Sequence, residues 1–474
     1  MACLPTHRNC VMSAQEAPVI LGRICSSWRA ISLKTPRLWS RLHIVEPNYP
    51  YNSPLGVYQS KVEQRLKVAD AWLRRSKTCP LSISLESRFD YISTAAMSTP
   101  DAQPFLNILI PFASRWQNIS LGISLSGVQT LLRLGENEVP LLKSLTINER
   151  RDNPHHIPHD EWTVPQACVL HAPGLTSFSL LGRNVHSLDL PLQWGRLTAL
   201  TLMGSGLSSG WGPGGSTVNP QTCRVVLDIL SRCPELRACT LLVHAPLDEH
   251  LQNLVVECPF LHTFDLSCDE TALHVADRLL GRLSLPQLQD FKLRGAKLGA
   301  TEELYSTFSA DSVLSFLTTL TRLESISADS AMFPKPILIN FLRALPPTVL
   351  RLAITEPMWR RLDREDAIFD DEVLEALTTF PDRPSHCPAL QEVVVHYCPN
   401  LSDEALLRFI MSRPTLKLVD IEFDRERKVD ILPSLEPFTE AGLKTSISYK
   451  TRPPSEFSPW QGLPDAPLTL WGSP

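Results

Sequence analysis

The sequence has no long apolar run, no closely paired cysteines and little excess charge of either sign. Nowhere do about 18 apolar residues follow one another, which is the length that a membrane-spanning helix needs. Residues 1–17 interrupt their few apolar side chains with polar ones, so they lack the apolar centre of a signal peptide. These absences predict a chain that is neither exported nor membrane-anchored, with a cytoplasmic or nuclear location.

The charge balance and the cysteine spacing exclude several partners. A formal net charge of −5 over 474 residues gives no bulk attraction to nucleic acid or to an anionic membrane. The closest clear cysteine spacing, Cys233 to Cys239, is wider than the C-x-x-C pairs of zinc sites. We therefore expect reduced thiols, no metal and no cofactor, and partners that are recognised by shape.

Leucine is the residue that the sequence has in excess. It occurs 74 times, against 40 prolines and 20 glycines, in a chain that is 43% hydrophobic and 20% charged. This content is enough for a large core, and it excludes a wholly disordered chain.

Much of the leucine belongs to a repeated unit, in which a proline is followed by apolar residues two, five and seven positions later. Pro259, Leu261, Phe264 and Leu266 form one clear copy. The unit recurs about every 30 residues, with starts at positions 140, 173, 195, 234, 259, 286, 321, 347, 388 and 414. The copies that start at 195 and 321 lack the proline.

The spacing inside the unit predicts a strand. The last two apolar positions are two apart, so they point to one side of a strand and the residue between them points to the other. That intervening residue is usually polar, and Asp265 and Lys292 are examples. Proline ends the preceding helix and fixes where each strand begins. One face of the sheet is thus expected to meet solvent, where it could contact a partner.

The stretches between these strands have helical periodicity. Apolar residues recur at intervals of three and four within residues 221–232, 248–257, 335–345, 371–380 and 402–413. Ser402, followed by Asp403 and Glu404, predicts a helix N-cap. Strands that alternate with helices at this period predict an α/β solenoid: a curved parallel sheet with helices on its convex side.

The run from Cys387 to Leu406, CPALQEVVVHYCPNLSDEAL, resembles the cysteine-containing leucine-rich repeat of many F-box proteins. A second resemblance lies near the N-terminus. Residues 17–42 are similar to the later part of the F-box in a large group of fungal F-box proteins. The matching residues, with Thr35, are those that the resemblance implies for binding the Skp adaptor: Leu21, Ile24, Cys25, Trp28, Arg29, Ile31, Pro36, Leu38 and Trp39.

The F-box of that group opens with a further helix, and its pattern is absent before Ala17. The motif is therefore expected to be truncated at its N-terminus. This departure keeps two hypotheses open. In one, the chain is the substrate-recognition subunit of an SCF-type (cullin-RING) ubiquitin ligase. In the other, it is an adaptor-independent leucine-rich-repeat interaction scaffold with a non-functional F-box remnant.

The predicted organisation has four parts. They are a partial F-box module (1–45), divergent first repeats with a helical connector (46–135), a repeat solenoid (136–448) and a proline-rich disordered tail (449–474). Insertions are predicted near 148–167, 204–219 and 355–386.

Two segments resemble functional sites, but their sequences do not support such a site. Residues 155–161 contain three histidines, but Pro158 argues against a metal-binding helix. The glycine-rich stretch 204–220 lacks the Lys-Ser/Thr of a phosphate-binding loop, and no nucleophile-elbow motif occurs. We therefore expect no enzymatic activity.

The residues predicted to contact a protein target are Asp265 and Lys292 in strands, and Arg360 and Arg361 in the insertion near 355–386.

Overall fold

A computed structural model describes residues 4–5, 8–47, 55–86, 103–149, 168–182, 189–204, 222–243, 255–268, 272–295, 310–355, 368–380, 382 and 386–449. The histidine-rich run at 155–161 and nearly all of the predicted insertions near 148–167 and 204–219 lie outside these residues. So do residues 356–367 of the third insertion, with Arg360 and Arg361, and residues 450–474 of the predicted tail.

The strands are short, and most have five or six residues. In chain order they are β1 (Arg41–Val45), β2 (Leu81–Glu86), β3 (Trp116–Ile123), β4 (Ser144–Glu149), β5 (Ser177–Gly182), β6 (Ala199–Gly204), β7 (Ala238–Val243), β8 (Val256–Glu257), β9 (Thr263–Cys268), β10 (Leu283–Ser284), β11 (Asp290–Gly295), β12 (Ser325–Asp329), β13 (Arg351–Thr355), β14 (Glu392–His396), β15 (Leu418–Phe423) and β16 (Lys444–Tyr449).

Most helices lie between strands. They are α1 (Leu21–Ile24), α2 (Ser26–Lys34), α3 (Leu55–Arg75), α4 (Gln103–Leu109), α5 (Leu125–Leu132), α6 (Cys223–Ser231), α7 (Ala272–Leu280), α8 (Asp311–Thr319), α9 (Lys335–Arg343), α10 (Asp371–Glu375), α11 (Asp403–Ser412) and α12 (Leu432–Glu440). Short 3₁₀ turns replace the helix in several repeats, for example Val169–His171 and Trp194–Arg196.

The chain divides into two compact units, Met1–Gln221 with Asp228–Leu236, and Thr222–Leu227 with Arg237–Pro474. In the first unit, β1 to β6 pair in chain order and every pair is parallel. In the second unit, β7, β9 and β11 to β16 pair in the same way. Each unit is therefore a stack of strand-and-helix repeats, and the predicted α/β leucine-rich-repeat solenoid is confirmed.

The proline-led unit sets the register of the strands. Its fifth-position residues lie side by side, as Phe264, Phe291 and Ile326 do on neighbouring strands. Its seventh-position residues do the same, and both sets are buried. The residues between them lie on the opposite sheet face, which we call the open face. The predicted alternation of buried and solvated positions is thus confirmed.

The core lies between the buried face of each sheet and its helices. In the second unit, the rings of Phe264 and Phe291 stack with centroids 6.0 Å apart. Phe316 of α8 meets Phe291 edge-on at 5.8 Å, which joins the helix to the sheet. Aromatic pairs of this kind contribute stabilisation beyond their buried area.

Four of the predicted helices form, as α6, α9, α10 and α11, with bounds within a few residues of the prediction except that α10 ends early, at Glu375. The Ser402 hydroxyl accepts a hydrogen bond from the N–H of Ala405, which confirms the predicted N-cap. The helix predicted over 248–257 is wrong at its described end. Val256–Glu257 forms β8, which pairs with β10, because Val256 N–H donates to Arg282 O rather than to its own chain segment.

The sheet begins inside the predicted F-box module, since β1 lies within residues 1–45 and pairs with β2. Residues before the first helix also fold onto this strand. His43 N–H donates to Cys10 O at 2.7 Å, and Val11 forms a parallel bridge with His43. Cys10 is fully buried, so this N-terminal segment covers the outer edge of β1.

Candidate interaction surfaces

The F-box-like residues form two short helices rather than one continuous helix. Cys25 has extended backbone angles and separates α1 from α2. The Arg29 side chain closes the break, because its Nε donates to Gly22 O at 2.7 Å. Thr35 ends α2, with its N–H donating to Ser32 O and its hydroxyl to Ile31 O.

These two helices expose apolar side chains. Ile24 and Ile31 are each 59% exposed and Trp28 is 48% exposed. Ile20 and Leu33 are also exposed, and so is Cys25. We call the set Ile20, Ile24, Trp28 and Ile31 the helical patch. An exposed apolar group of this kind is typical of an interaction site, whereas singly exposed apolar residues are ordinary.

Three residues predicted to bind the adaptor are buried instead: Leu21, Leu38 and Trp39. Trp39 donates its indole N–H to Ser32 O at 2.8 Å, and its ring meets Trp72 of α3 edge-on at 4.9 Å. The Arg75 guanidinium lies 4.8 Å above the same ring. Trp39 thus joins α2 to the first repeat and does not face a partner.

The predicted adaptor-binding set is therefore divided by burial. Ile24, Cys25, Trp28, Arg29 and Ile31 are exposed, and Pro36 is half-buried at the start of a 3₁₀ turn. For Leu38 and Trp39 the sequence contains a signal of this burial. Both residues come directly before β1, where side chains begin to enter the core of the sheet.

The open face of the first unit carries mainly uncharged polar side chains, with the charged Arg41 and Glu86 at the ends of β1 and β2. One continuous row across β1 to β6 consists of His43, Ser84, Ser120, Thr146, Ser179 and Thr201. The amide of Asn9 bonds Ser82 and Ser84 at the start of this surface, and His43 Nδ1 lies 2.8 Å from Ser84 Oγ. Burial lowers the pKa of His43, and the charge of Arg8 acts in the same direction. The row from His43 to Thr201 itself offers hydrogen bonds from uncharged groups.

The open face of the second unit carries charges of both signs. Asp265 and Lys292, both predicted to contact a target, are directly paired in the register of β9 and β11. Asp265 Oδ2 lies 3.1 Å from an Arg294 guanidinium nitrogen. Asp329 accepts hydrogen bonds from Gly295 N–H at 3.1 Å and from the Thr355 hydroxyl at 2.6 Å.

The carboxyl groups of Asp265 and Asp329 are partly withdrawn from water. Burial raises the pKa of Asp265, although Arg294 and Lys292 act against it. Burial also raises the pKa of Asp329, against the hydrogen bonds it accepts. Two buried polar atoms here, Asp265 Oδ1 and Ser267 Oγ, have no hydrogen-bond partner in the described part of the chain. Such atoms are exceptional in folded proteins.

The described ranges contain no cluster of three or more metal-ligating side chains. Their helices are all too short or too polar to cross a bilayer. The eleven cysteines they include, from Cys10 to Cys398, are free thiols.

Comparison with known proteins gives structural likeness only. No protein-family model matches the chain, and no curated protein matches it by sequence. The leucine-rich repeat-containing protein LegL7 from Legionella pneumophila has 13% identity and a TM-score of 0.29, over 57% of this chain and 92% of LegL7. The TLR13–ssRNA13 complex has 11% identity and a TM-score of 0.30, over 71% of this chain and 46% of that one. The Rad7 and Elc1 complex in yeast has 12% identity and a TM-score of 0.37, over 89% of this chain and 94% of that one.

Proposed function

We propose that the chain is the substrate-recognition subunit of an SCF-type (cullin-RING) ubiquitin ligase, working in the cytoplasm or nucleus. The helical patch would bind the Skp adaptor, and the open face of the repeats would hold a protein target. The chain itself would do no chemistry. Holding a target near a conjugating enzyme that carries ubiquitin raises the effective concentration of the target there. A non-catalytic subunit accelerates ubiquitin transfer in this way.

The observation that carries the proposal is the exposure of Ile24, Trp28 and Ile31 on the two helices that resemble an F-box. A Trp flanked by branched apolar side chains is a typical centre of a protein interface. Burying such side chains against a partner contributes about 25 cal/mol for each Å² of apolar surface removed from water. Trp39 and Trp72 hold this patch against the first repeat, so a docked adaptor would be rigidly connected to the repeats.

The test is co-purification of the full chain with the Skp adaptor. We expect a 1:1 complex that survives gel filtration at micromolar concentration. Trp28→Ala should weaken it by roughly 30-fold, the equivalent of about 2 kcal/mol at an interface centre. Met411→Ala is the matched control, because Met411 is also an exposed apolar residue, at 58%, on a repeat helix.

A second candidate function is an adaptor-independent interaction scaffold. Two observations favour it. Leu21, Leu38 and Trp39 are buried, which reduces the accessible docking surface. Residues 8–16 lie beside β1 rather than forming the first helix of an F-box. Absence of adaptor binding by a correctly folded wild-type chain would select this function and reject the first.

A further inference from the structure

The first strand, β1, and the last strand, β16, differ in whether another part of the chain covers the edge that pairs with no neighbouring repeat. Cys10 and Val11 cover the outer edge of β1. The Asn9 amide holds this segment in place through hydrogen bonds with the hydroxyls of Ser82 and Ser84. The last strand, β16, pairs with β15 on one side. Among the residues that the structure describes, no strand pairs with its other side.

The register shows which main-chain groups meet the open edge of β16. Lys444 N–H donates to Lys417 O at 2.9 Å, so the main chain of Lys444 points toward β15. In a parallel ladder, alternate residues bond the same neighbour. The N–H and C=O groups of Thr445, Ile447 and Tyr449 therefore point outward, away from β15.

The side chains of β16 are also less covered than those of the inner strands. On inner strands such as β15, the core-facing residues Val419 and Ile421 are buried. On β16, the corresponding Thr445, Ile447 and Tyr449 are only half-buried. Terminal repeats of solenoids normally carry a polar cap over this position. Here the half-buried side chains of Ile447 and Tyr449 lie beside main-chain groups that no described strand pairs.

We propose that β16 is a docking edge, to which an extended segment of the protein target adds as a further strand of the sheet. The proposal rests on the function proposed above, in which the repeats hold a protein target, and it names how part of that target binds. Strand addition to an exposed sheet edge draws affinity from main-chain hydrogen bonds and specificity from alternate side chains.

The chemistry of β16 defines the segment that it would accept. Ile447 and Tyr449 favour apolar or β-branched side chains on the core-facing side of the added strand. Lys444, Ser446 and Ser448 are exposed on the open face, so they favour acidic or small polar residues at the alternate positions. The target segment should therefore alternate apolar and acidic or polar residues and contain no proline at its bonding positions.

Two other occupants fit less well. The sequence after β16 has Pro453 and Pro454, which cannot donate to a ladder if the chain turns back on β16. A second copy of the chain could pair β16 with β16. This contact spans only the six residues of the strand, whereas stable interfaces use roughly 20–30 residues on each side. A protein target that also contacts the open face would use more residues than the six of β16.

The probe is a fluorescent peptide with the sequence of β15, LVDIEF, because β16 already pairs with that sequence on its other side. We expect it to bind the full-length chain, measured by fluorescence anisotropy. Peptide binding should also slow hydrogen exchange at the outward amides of Thr445, Ile447 and Tyr449. A peptide with the same six residues in an order without alternation should bind at least tenfold more weakly.

Ile447→Pro is the decisive variant. It removes an N–H from the open edge while the ladder to β15 keeps its bonds, so the fold should be retained. We expect at least a tenfold loss of peptide affinity, whereas the matched Ile447→Val variant should stay within twofold of wild type. If the proline variant unfolds, two peptides N-methylated at alternate residues replace it, and only one of the two should lose binding.

Several results would overturn the proposal. These are no peptide binding by the wild type up to about 1 mM, equal binding by Ile447→Pro, or equal binding by both N-methylated peptides. A dimer that Ile447→Pro dissociates would assign the edge to a second copy. A gain of affinity after deletion of residues 450–474 would assign it to the chain's own tail. Adaptor co-purification is independent of β16, so its failure would reject the ligase function without deciding this proposal.

Discussion

At the scale of single residues, Asp403 has the most connected carboxylate in the described part of the chain. It is fully buried, and it accepts hydrogen bonds from Arg425 at 3.0 Å, Tyr449 at 2.7 Å and the N–H of Val429 at 3.1 Å. Burial alone would raise the pKa of Asp403, but the bonds from Arg425, Tyr449 and Val429 outweigh it and lower the pKa. This carboxylate ties α11 to β16 and to the segment between them.

Asp403→Asn should lower the free energy of unfolding by about 3 kcal/mol, because it leaves the buried Arg425 guanidinium without its counter-charge. The control is Asp430→Asn, which removes an exposed ion pair with Arg427 and should cost less than about 1 kcal/mol. Urea unfolding measures both. Equal effects of the two substitutions would contradict the importance of the buried site.

The same residue predicts acid sensitivity. Because the folded-state pKa of Asp403 lies below its ordinary value of 3.8, its stabilisation is present above that pH and is lost as the pH falls through the folded pKa. The difference between wild type and Asp403→Asn should therefore shrink when urea unfolding is repeated near pH 3. A difference that stays constant between pH 7 and pH 3 would show that the carboxylate charge is not responsible.

The thiols should differ strongly in reactivity. Cys25 is exposed, whereas burial raises the pKa of Cys258 and of Cys387 to about 11. Since the thiolate is the reactive form, iodoacetamide at pH 7.5 should alkylate Cys25 well before the other two. Peptide mass spectrometry over a time course would measure the order. Early modification of Cys387 in the folded chain would contradict its burial.

At the scale of elements, two tryptophans near the N-terminus separate attachment from recognition. Trp39→Ala should lower the free energy of unfolding by about 3–5 kcal/mol, because it empties the contact between α2 and α3. Trp28→Ala should leave stability within about 0.5 kcal/mol, since Trp28 lies on the surface. Thermal unfolding measures stability, and adaptor co-purification measures recognition. Trp39→Ala and Trp28→Ala with equal effects on stability would refute this division.

The strands were predictable from the sequence because their signal is local. Leu352 and Ile354 are two apart after Pro347, and that pattern alone places both on one side of β13. The break at Cys25 was not predictable, because the spacing of Leu21, Ile24 and Trp28 suits one continuous helix. The contact of Arg29 with Gly22 O, seven residues earlier, accompanies the break, and the apolar spacing gives no signal of it.

At the scale of the whole molecule, each repeat packs mainly on its neighbours, so damage should remain local. Phe264→Ala removes the ring that stacks on Phe291 and should cost about 3–5 kcal/mol. Hydrogen exchange should increase most in β7, β9 and β11, with little change in β14 and β15. A uniform increase across all strands of the second unit would show that this unit unfolds as one block.

The sequence by itself determined the repeated unit, the parallel order of its strands and the alternation of buried and solvated positions. These follow from residue spacing, which constrains one strand or helix at a time. Only the tertiary structure decided which F-box-like side chains are exposed, since Trp39 enters the core through contacts with the distant Trp72 and Arg75. It also decided that the N-terminal segment covers β1, while no described strand pairs with the second edge of β16. Burial and edge pairing are properties of neighbours, and the neighbours of a residue are fixed only when the chain has folded.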